Sequence, residues 1–138
     1  MGAGRPYHAG MKIEHAAWQV ADSAAVANWY VAHLGMTVVR IGGPPGNARF
    51  LADATGRTLL EIYRHPAASL PDYASADPLV IHLAFATDDV PADRDRLASA
   101  GATVVDAMTV TPVGDAMAML RDPWGFPIQL VRRRQAMP

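Results

Sequence analysis

Four polar side chains interrupt otherwise apolar runs: His15 in Ile13–Val20, Glu61 in Leu59–Tyr63, His82 in Leu79–Ala86 and Gln129 in Pro127–Val131. Two imidazoles and one carboxylate are an adequate donor set for Zn, Ni, Co, Mn or Fe. A glutamine adds a neutral carbonyl oxygen but cannot act as a general base, so Glu61 is the only carboxylate of the four able to move a proton. Each residue taken singly also has a plain structural reading. A histidine on an apolar strand is usually a hydrogen-bonded core residue, a buried glutamate requires a positive partner such as an arginine, and a strand glutamine can satisfy backbone groups.

Spacing is what joins the four. His15 and His82 are 67 residues apart, as are Asp22 and Asp89; Gly35 and Gly101 are 66 apart, and Glu61 and Gln129 are 68 apart. A near-constant offset implies an internal duplication, and a pseudo-twofold axis would bring all four polar residues together.

The elements that must position them follow the same order twice. In the first half Ile13–Val20 reads as a strand. Asp22 or Ser23 caps a helix whose Val26, Trp29, Tyr30 and His33 recur at helical spacing, and Gly35 ends it. Met36–Ile41 is β-rich, residues 42–47 form a Gly/Pro loop, and Arg49–Asp53 and Thr58–Arg64 make a hairpin around residues 54–57. Residues 65–78 are a linker. In the second half Leu79–Thr87 reads as a strand, and Asp88 or Asp89 caps a helix that tolerates Pro91 only in its first turn. That helix buries Val90, Arg94, Leu97 and Ala98 and ends at Gly101. Thr103–Val110, Ala116–Arg121 and Pro127–Arg133 are the remaining strands, and Asp122-Pro123-Trp124-Gly125 is a turn matching Asp53-Ala54-Thr55-Gly56.

Strand alternation sorts the faces. His15 shares one with Ala17 and Gln19, His82 with Ala84 and Ala86, Glu61 with Tyr63, and Gln129 with Val131. Trp18, Leu60, Ile62, Ile128 and Leu130 point the other way, toward helices. Alanines on the polar face leave room for a ligand, and Gln19 and Tyr63 are candidate substrate contacts. Trp124 and Phe126 read as turn packing. His8, His33 and His65 fall in the tail, on a helix and at the linker, and read as non-functional.

Bulk properties bound the function. The chain of 138 residues is 51% hydrophobic and 18% charged, enough for a real core in one compact domain. A formal net charge of -1 argues against a nucleic-acid partner, and Arg132-Arg133-Arg134 reads as a solvated strand end. The absence of cysteine excludes disulfides, thiolate catalysis and zinc–cysteine sites. No apolar stretch reaches membrane-span length, so no membrane role and a cytoplasmic location are expected. Residues 1–10 are expected to form a mobile tail.

A βαβββ unit repeated twice, with histidine on each first strand and a carboxylate or amide on each last strand, resembles the vicinal-oxygen-chelate superfamily, which includes glyoxalase I, epimerases, extradiol dioxygenases and bleomycin resistance proteins. The matching pieces are His15–Asp22, Trp29-Tyr30 before Leu34-Gly35, Leu60-Glu61-Ile62, Ile81–Phe85, Asp88-Asp89-Val90 and Asp122–Leu130. The resemblance implies an α+β fold in which two tandem βαβββ modules form a cup-shaped mixed β-sheet with helices on its outer face. Module one would span 11–64 and module two 79–134, within a single domain 11–134. It implies one divalent metal ion held by His15, Glu61, His82 and Gln129, where the family most often has glutamate at the last position. The epimerase-like order His, Gln, His, Glu appears here with its halves exchanged.

Three functions remain open. The first is a metal-dependent lyase or isomerase acting on a small molecule with vicinal oxygens, with Glu61 moving the proton. The second is an iron-dependent extradiol-type dioxygenase, and the third a non-catalytic, bleomycin-resistance-like binder. Classical glyoxalase I activity fits less well without the final glutamate. A homodimer is expected from the resemblance.

Overall fold

The computed structural model describes residues 10–138. Residues 1–9, which hold nearly all of the expected tail and His8, lie outside the described residues. The chain divides into two units, Met1–Leu70 and Pro71–Pro138, with the boundary inside the expected linker.

The first unit runs β1 (Ala16–Gln19), α1 (Ser23–Leu34), β2 (Thr37–Ile41), β3 (Arg49–Ala52) and β4 (Thr58–Tyr63). Its strands form one mixed sheet in the order β1-β4-β3-β2, with β1 parallel to β4. The α1 helix begins where the Asp22 carboxylate accepts from the Ala25 N–H, and it ends at Gly35 in the left-handed conformation, φ 67°. It packs on β2, β3 and β4. Trp18, Leu51, Leu60 and Ile62 from the sheet and Val26, Trp29 and Tyr30 from the helix are buried, each large side chain contributing about 2 kcal/mol by leaving water.

The second unit repeats the order: a 3-10 turn (Tyr73–Ser75), β5 (Leu83–Ala86), α2 (Val90–Ser99), β6 (Thr103–Val110), β7 (Ala116–Arg121) and β8 (Pro127–Arg132). The sheet order is β5-β8-β7-β6, the same topology, with β5 parallel to β8. Asp89 caps α2 through the Ala92 N–H, and Pro91 sits in the first turn. Val90 and Leu97 are buried with Leu120, Ile128 and Leu130. The result is an α+β fold of two tandem βαβββ modules with two four-stranded sheets, each carrying a helix on one face.

Several boundaries differ from the sequence reading. The first strand starts at Ala16 rather than Ile13, so His15 stands just before it. The strand expected over Leu79–Thr87 is only Leu83–Ala86. Asp77-Pro78 instead opens a turn: the Val80 N–H donates to the Asp77 carbonyl at 2.9 Å and the Leu79 N–H to the Asp77 carboxylate at 2.9 Å. On the partner strand Pro127 precedes Ile128, the partner of Leu83, and having no N–H it cannot extend the ladder back toward His82. His82 is therefore a pre-strand residue, not a strand residue. Gly101 does not cap α2 directly; Ala100 does, and Gly101 follows at φ 110°.

Candidate functional site

In the first unit, a row of paired residues crosses the sheet on the face away from α1: Arg40 on β2, Phe50 on β3, Glu61 on β4 and Ala17 on β1. His15 reaches this row from the chain just before β1. Its Nε2 lies 3.1 Å from Glu61 Oε2 and its Nδ1 2.9 Å from Glu14 Oε1. The edge of its ring meets Phe50, centroids 5.7 Å apart at 89°, and the Arg40 guanidinium lies 6.0 Å from the same ring centre. Glu61 is largely covered, with 19% of its side chain exposed, whereas Glu14 is 82% exposed.

A carboxylate only accepts, so His15 satisfies both neighbours when both ring nitrogens carry hydrogen, or when a cation takes the place of one of them. Glu14 holds the His15 ring from the solvent side, at Nδ1.

Tyr63 extends the same face, half-buried. Gln19, also on it, is engaged elsewhere. Its Oε1 accepts from Arg64 Nη1 at 3.1 Å and from the His65 N–H at 2.8 Å, and its Nε2 donates to the Ser69 carbonyl at 3.4 Å. Arg64 in turn donates to the carbonyls of His65 and Ala68. Gln19 and Arg64 together pin the chain as it leaves β4.

The second unit has the equivalent row: Asp106 on β6, Met119 on β7, Gln129 on β8 and Ala84 on β5. His82, exposed, places Nδ1 2.8 Å from the Pro78 carbonyl. A carbonyl only accepts, so the ring donates to it from Nδ1. Gln129 is half-buried and lines a pocket of about 320 Å³ with Leu79, Val105, Met117 and Met119. Among the described residues, no three or more His, Cys, Asp or Glu side chains are grouped to hold a metal ion. The donors stand as a close pair in one unit and as His82 and Gln129 in the other.

The residues the sequence reading passed over are Glu14, Arg40, Phe50, Asp106 and Met119. Strand parity could have found Phe50, one residue before the core-facing Leu51. The row partners on β2 and β6 were hidden, because register shifts interrupt both edge strands. Trp124 and Phe126 sit at the expected turn, Phe126 buried and packed on Tyr73 with centroids 5.1 Å apart. No described helix is long and apolar enough to cross a membrane.

Solved structures share this fold. Glyoxalase I from Zea mays superposes with a TM-score of 0.71 at 22% identity over 91% of this chain and 46% of that one, so the chain spans about half the length of the maize protein. TnmS3, an antibiotic binding protein from Streptomyces sp. CB03234, gives 0.67 at 25% identity over 91% of this chain and 98% of that one. A protein from Sphaerobacter thermophilus DSM 20745 gives 0.69 at 17% identity, covering 89% and 98% of the two chains. A comparison with curated proteins gives no significant match. Residues 12–130 match the pattern of one family over most of the chain, and on that ground the chain belongs to the Glyoxalase/Bleomycin resistance protein/Dioxygenase superfamily.

Proposed function

We propose that the protein is a divalent-metal-dependent, glyoxalase-like lyase or isomerase acting on a small molecule that presents two neighbouring oxygens. The observation that carries this reading is the His15–Glu61 contact of 3.1 Å on the open face of the first sheet. His15, Glu61, His82 and Gln129 are the residues that would hold the ion, and their donor types fit Zn, Ni, Co, Mn or Fe. When bound, the ion supplies Lewis-acid polarisation of the substrate oxygens.

The chain's own groups do the rest. Glu61 would accept the substrate proton at a carboxylate oxygen. Glu14 fixes the His15 ring from the outside, and the Pro78 carbonyl holds the His82 ring at Nδ1. Gln129 offers a carbonyl oxygen and an N–H without titrating. Tyr63 contacts substrate, while Gln19 acts through Arg64 and the 65–69 segment as a positioning residue.

An extradiol-type oxygenase is a weaker fit, because the carboxylate lies on β4 and an amide on β8. A binding protein without catalysis has one specific support, the 25% identity with antibiotic-binding TnmS3 over nearly all of that chain. We also propose a cytoplasmic homodimer, since two copies together approach the length of the Zea mays protein.

The test is metal content of untagged protein, wild type against a His15→Ala/His82→Ala variant, followed by turnover screening. Near-stoichiometric metal lost in the variant is expected. No binding after incubation with Ni, Co, Zn, Mn and anaerobic Fe(II) would overturn the enzyme reading in favour of the binder.

A further inference from the structure

One pocket on the open face of the second unit is lined by charge of one sign, while Arg121, further along β7, is taken up by the carbonyls of Tyr73, Ala76 and Gly125. The pocket, about 320 Å³, has apolar walls from Leu79, Val105, Met117 and Met119, with Asp77 and Asp106 among its lining and no lysine, arginine or histidine. Asp106 Oδ2 accepts from the Thr109 hydroxyl at 2.9 Å, and Asp77 Oδ1 accepts from the Leu79 N–H at 2.9 Å. Both donors are neutral. Neither carboxylate is in an ion pair with a basic side chain among the described residues.

We infer that this pocket takes an apolar, cationic small molecule, one with a protonated amine, and rejects anions; this names the ligand class of the same open face and rests on the reading that a small molecule occupies it. Carboxylates set in a concave apolar wall focus their field into the cavity. An anion entering would lose hydration against two uncompensated like charges, whereas a cation supplies the partner both lack. The methionine side chains adapt to flat or irregular rings and contact aromatic edges favourably. Gln129 provides one donor and one acceptor at the other end of the row. Asp106 and Gln129 are separated by one strand, β7, so the ligand spans roughly 10 Å between its amine and its polar group.

The test is fluorescence titration of the metal-free full-length protein, kept in EDTA, with two flat apolar dyes: cationic proflavine and anionic 1-anilinonaphthalene-8-sulfonate. Proflavine is expected to bind at least about tenfold more tightly, a step readily resolved in Kd. An Asp77→Asn/Asp106→Asn variant should close that gap by weakening proflavine and strengthening the anion. Val105→Trp, on an exposed position of the wall, should weaken both dyes, with circular dichroism checking that each variant is folded. Equal or tighter binding of the anion, no binding of either dye, or proflavine binding unchanged in every variant overturns the proposal. Charge preference in a protein that never holds metal supports this inference while removing the enzyme reading. Bound metal without charge preference removes the inference alone.

Discussion

The two units have one scaffold and opposite chemistry. Each sheet has the same strand order, each helix starts at an aspartate cap, and each crossing row uses equivalent positions. The first row reads Arg40, Phe50, Glu61, Ala17; the second reads Asp106, Met119, Gln129, Ala84. Where the first row has a base the second has an acid, an aromatic ring is matched by a thioether and a carboxylate by an amide, while alanine stays alanine. Side chains on the helix-facing side are constrained by packing, since a one-methylene change is felt there. Side chains on the open face carry no such constraint, so after duplication the core kept its pattern and the chemistry diverged.

The largest break in that symmetry is expected at the matched turns. Gly56 and Gly125 both donate to the carbonyl of the aspartate that opens their turn, at 2.9 Å, and both have positive φ, 81° and 92°. A Cβ on Gly56 meets nothing within 4 Å, but one on Gly125 falls 2.7 Å from the Ala74 Cβ and 2.8 Å from its backbone nitrogen. Gly56→Ala should therefore cost about 1 kcal/mol, the strain of the backbone conformation alone. Gly125→Ala should cost about 3 kcal/mol or more, because the 3-10 turn must move as well. Urea unfolding of both variants measures the difference, and equal losses would mean that the Tyr73–Ser75 turn does not pack on the Gly125 turn.

That asymmetry marks where sequence reading stops. The repeat, both caps, both helices and the β6 and β7 bounds were legible because periodicity and capping are local signals. The seat of His82 was not. Leu79-Val80-Ile81 has a strand's composition, and only the pairing of Leu83 with Ile128 beside Pro127 shows why the ladder stops short. Gln19 was legible as a residue on the polar face but not as the clasp of Arg64 and His65, which depends on the path of the chain after Tyr63. The nearness of His15 to Glu61 was expected only from the repeat and the resemblance, because His15 stands outside the strand, and the charges at Arg40 and Asp106 depended on bulged edge strands that alternation cannot count through.

The next effect sharpens the comparison at the rows themselves. If Glu61 and Gln129 occupy equivalent places around one ion, Glu61→Gln should weaken metal binding roughly a hundredfold, about 2.7 kcal/mol. The exchange Glu61→Gln/Gln129→Glu restores one carboxylate and one amide, and should recover affinity to within about tenfold of wild type. Calorimetric titration with Zn, Ni, Co and Mn decides it. A double exchange as weak as the single variant would show that the rows are equivalent in topology and not in chemistry.

The smallest effect concerns acid. Asp93, in the first turn of α2, has its carboxyl held below the ordinary value of 3.8 chiefly by the Thr87 hydroxyl that donates to it, with burial opposing and Arg96 assisting. Asp115 is also held low, first by the Arg134 N–H and then by Arg133. Both lie in the second unit. A carboxylate whose folded pKa is depressed contributes its full stability above the unfolded value, and loses it as pH falls through the folded pKa. At neutral pH Asp93→Asn should therefore cost about 1 kcal/mol at most, the net worth of a hydrogen bond to a partly screened charge. The gap between wild type and variant should narrow as pH drops below about 4 and vanish once Asp93 is protonated. Hydrogen exchange followed through the same titration should show α2 amides opening before those of α1. A gap that persists unchanged into acid would mean that the Thr87 contact stabilises the protonated carboxyl equally, and that the two helices differ in packing and not in charge.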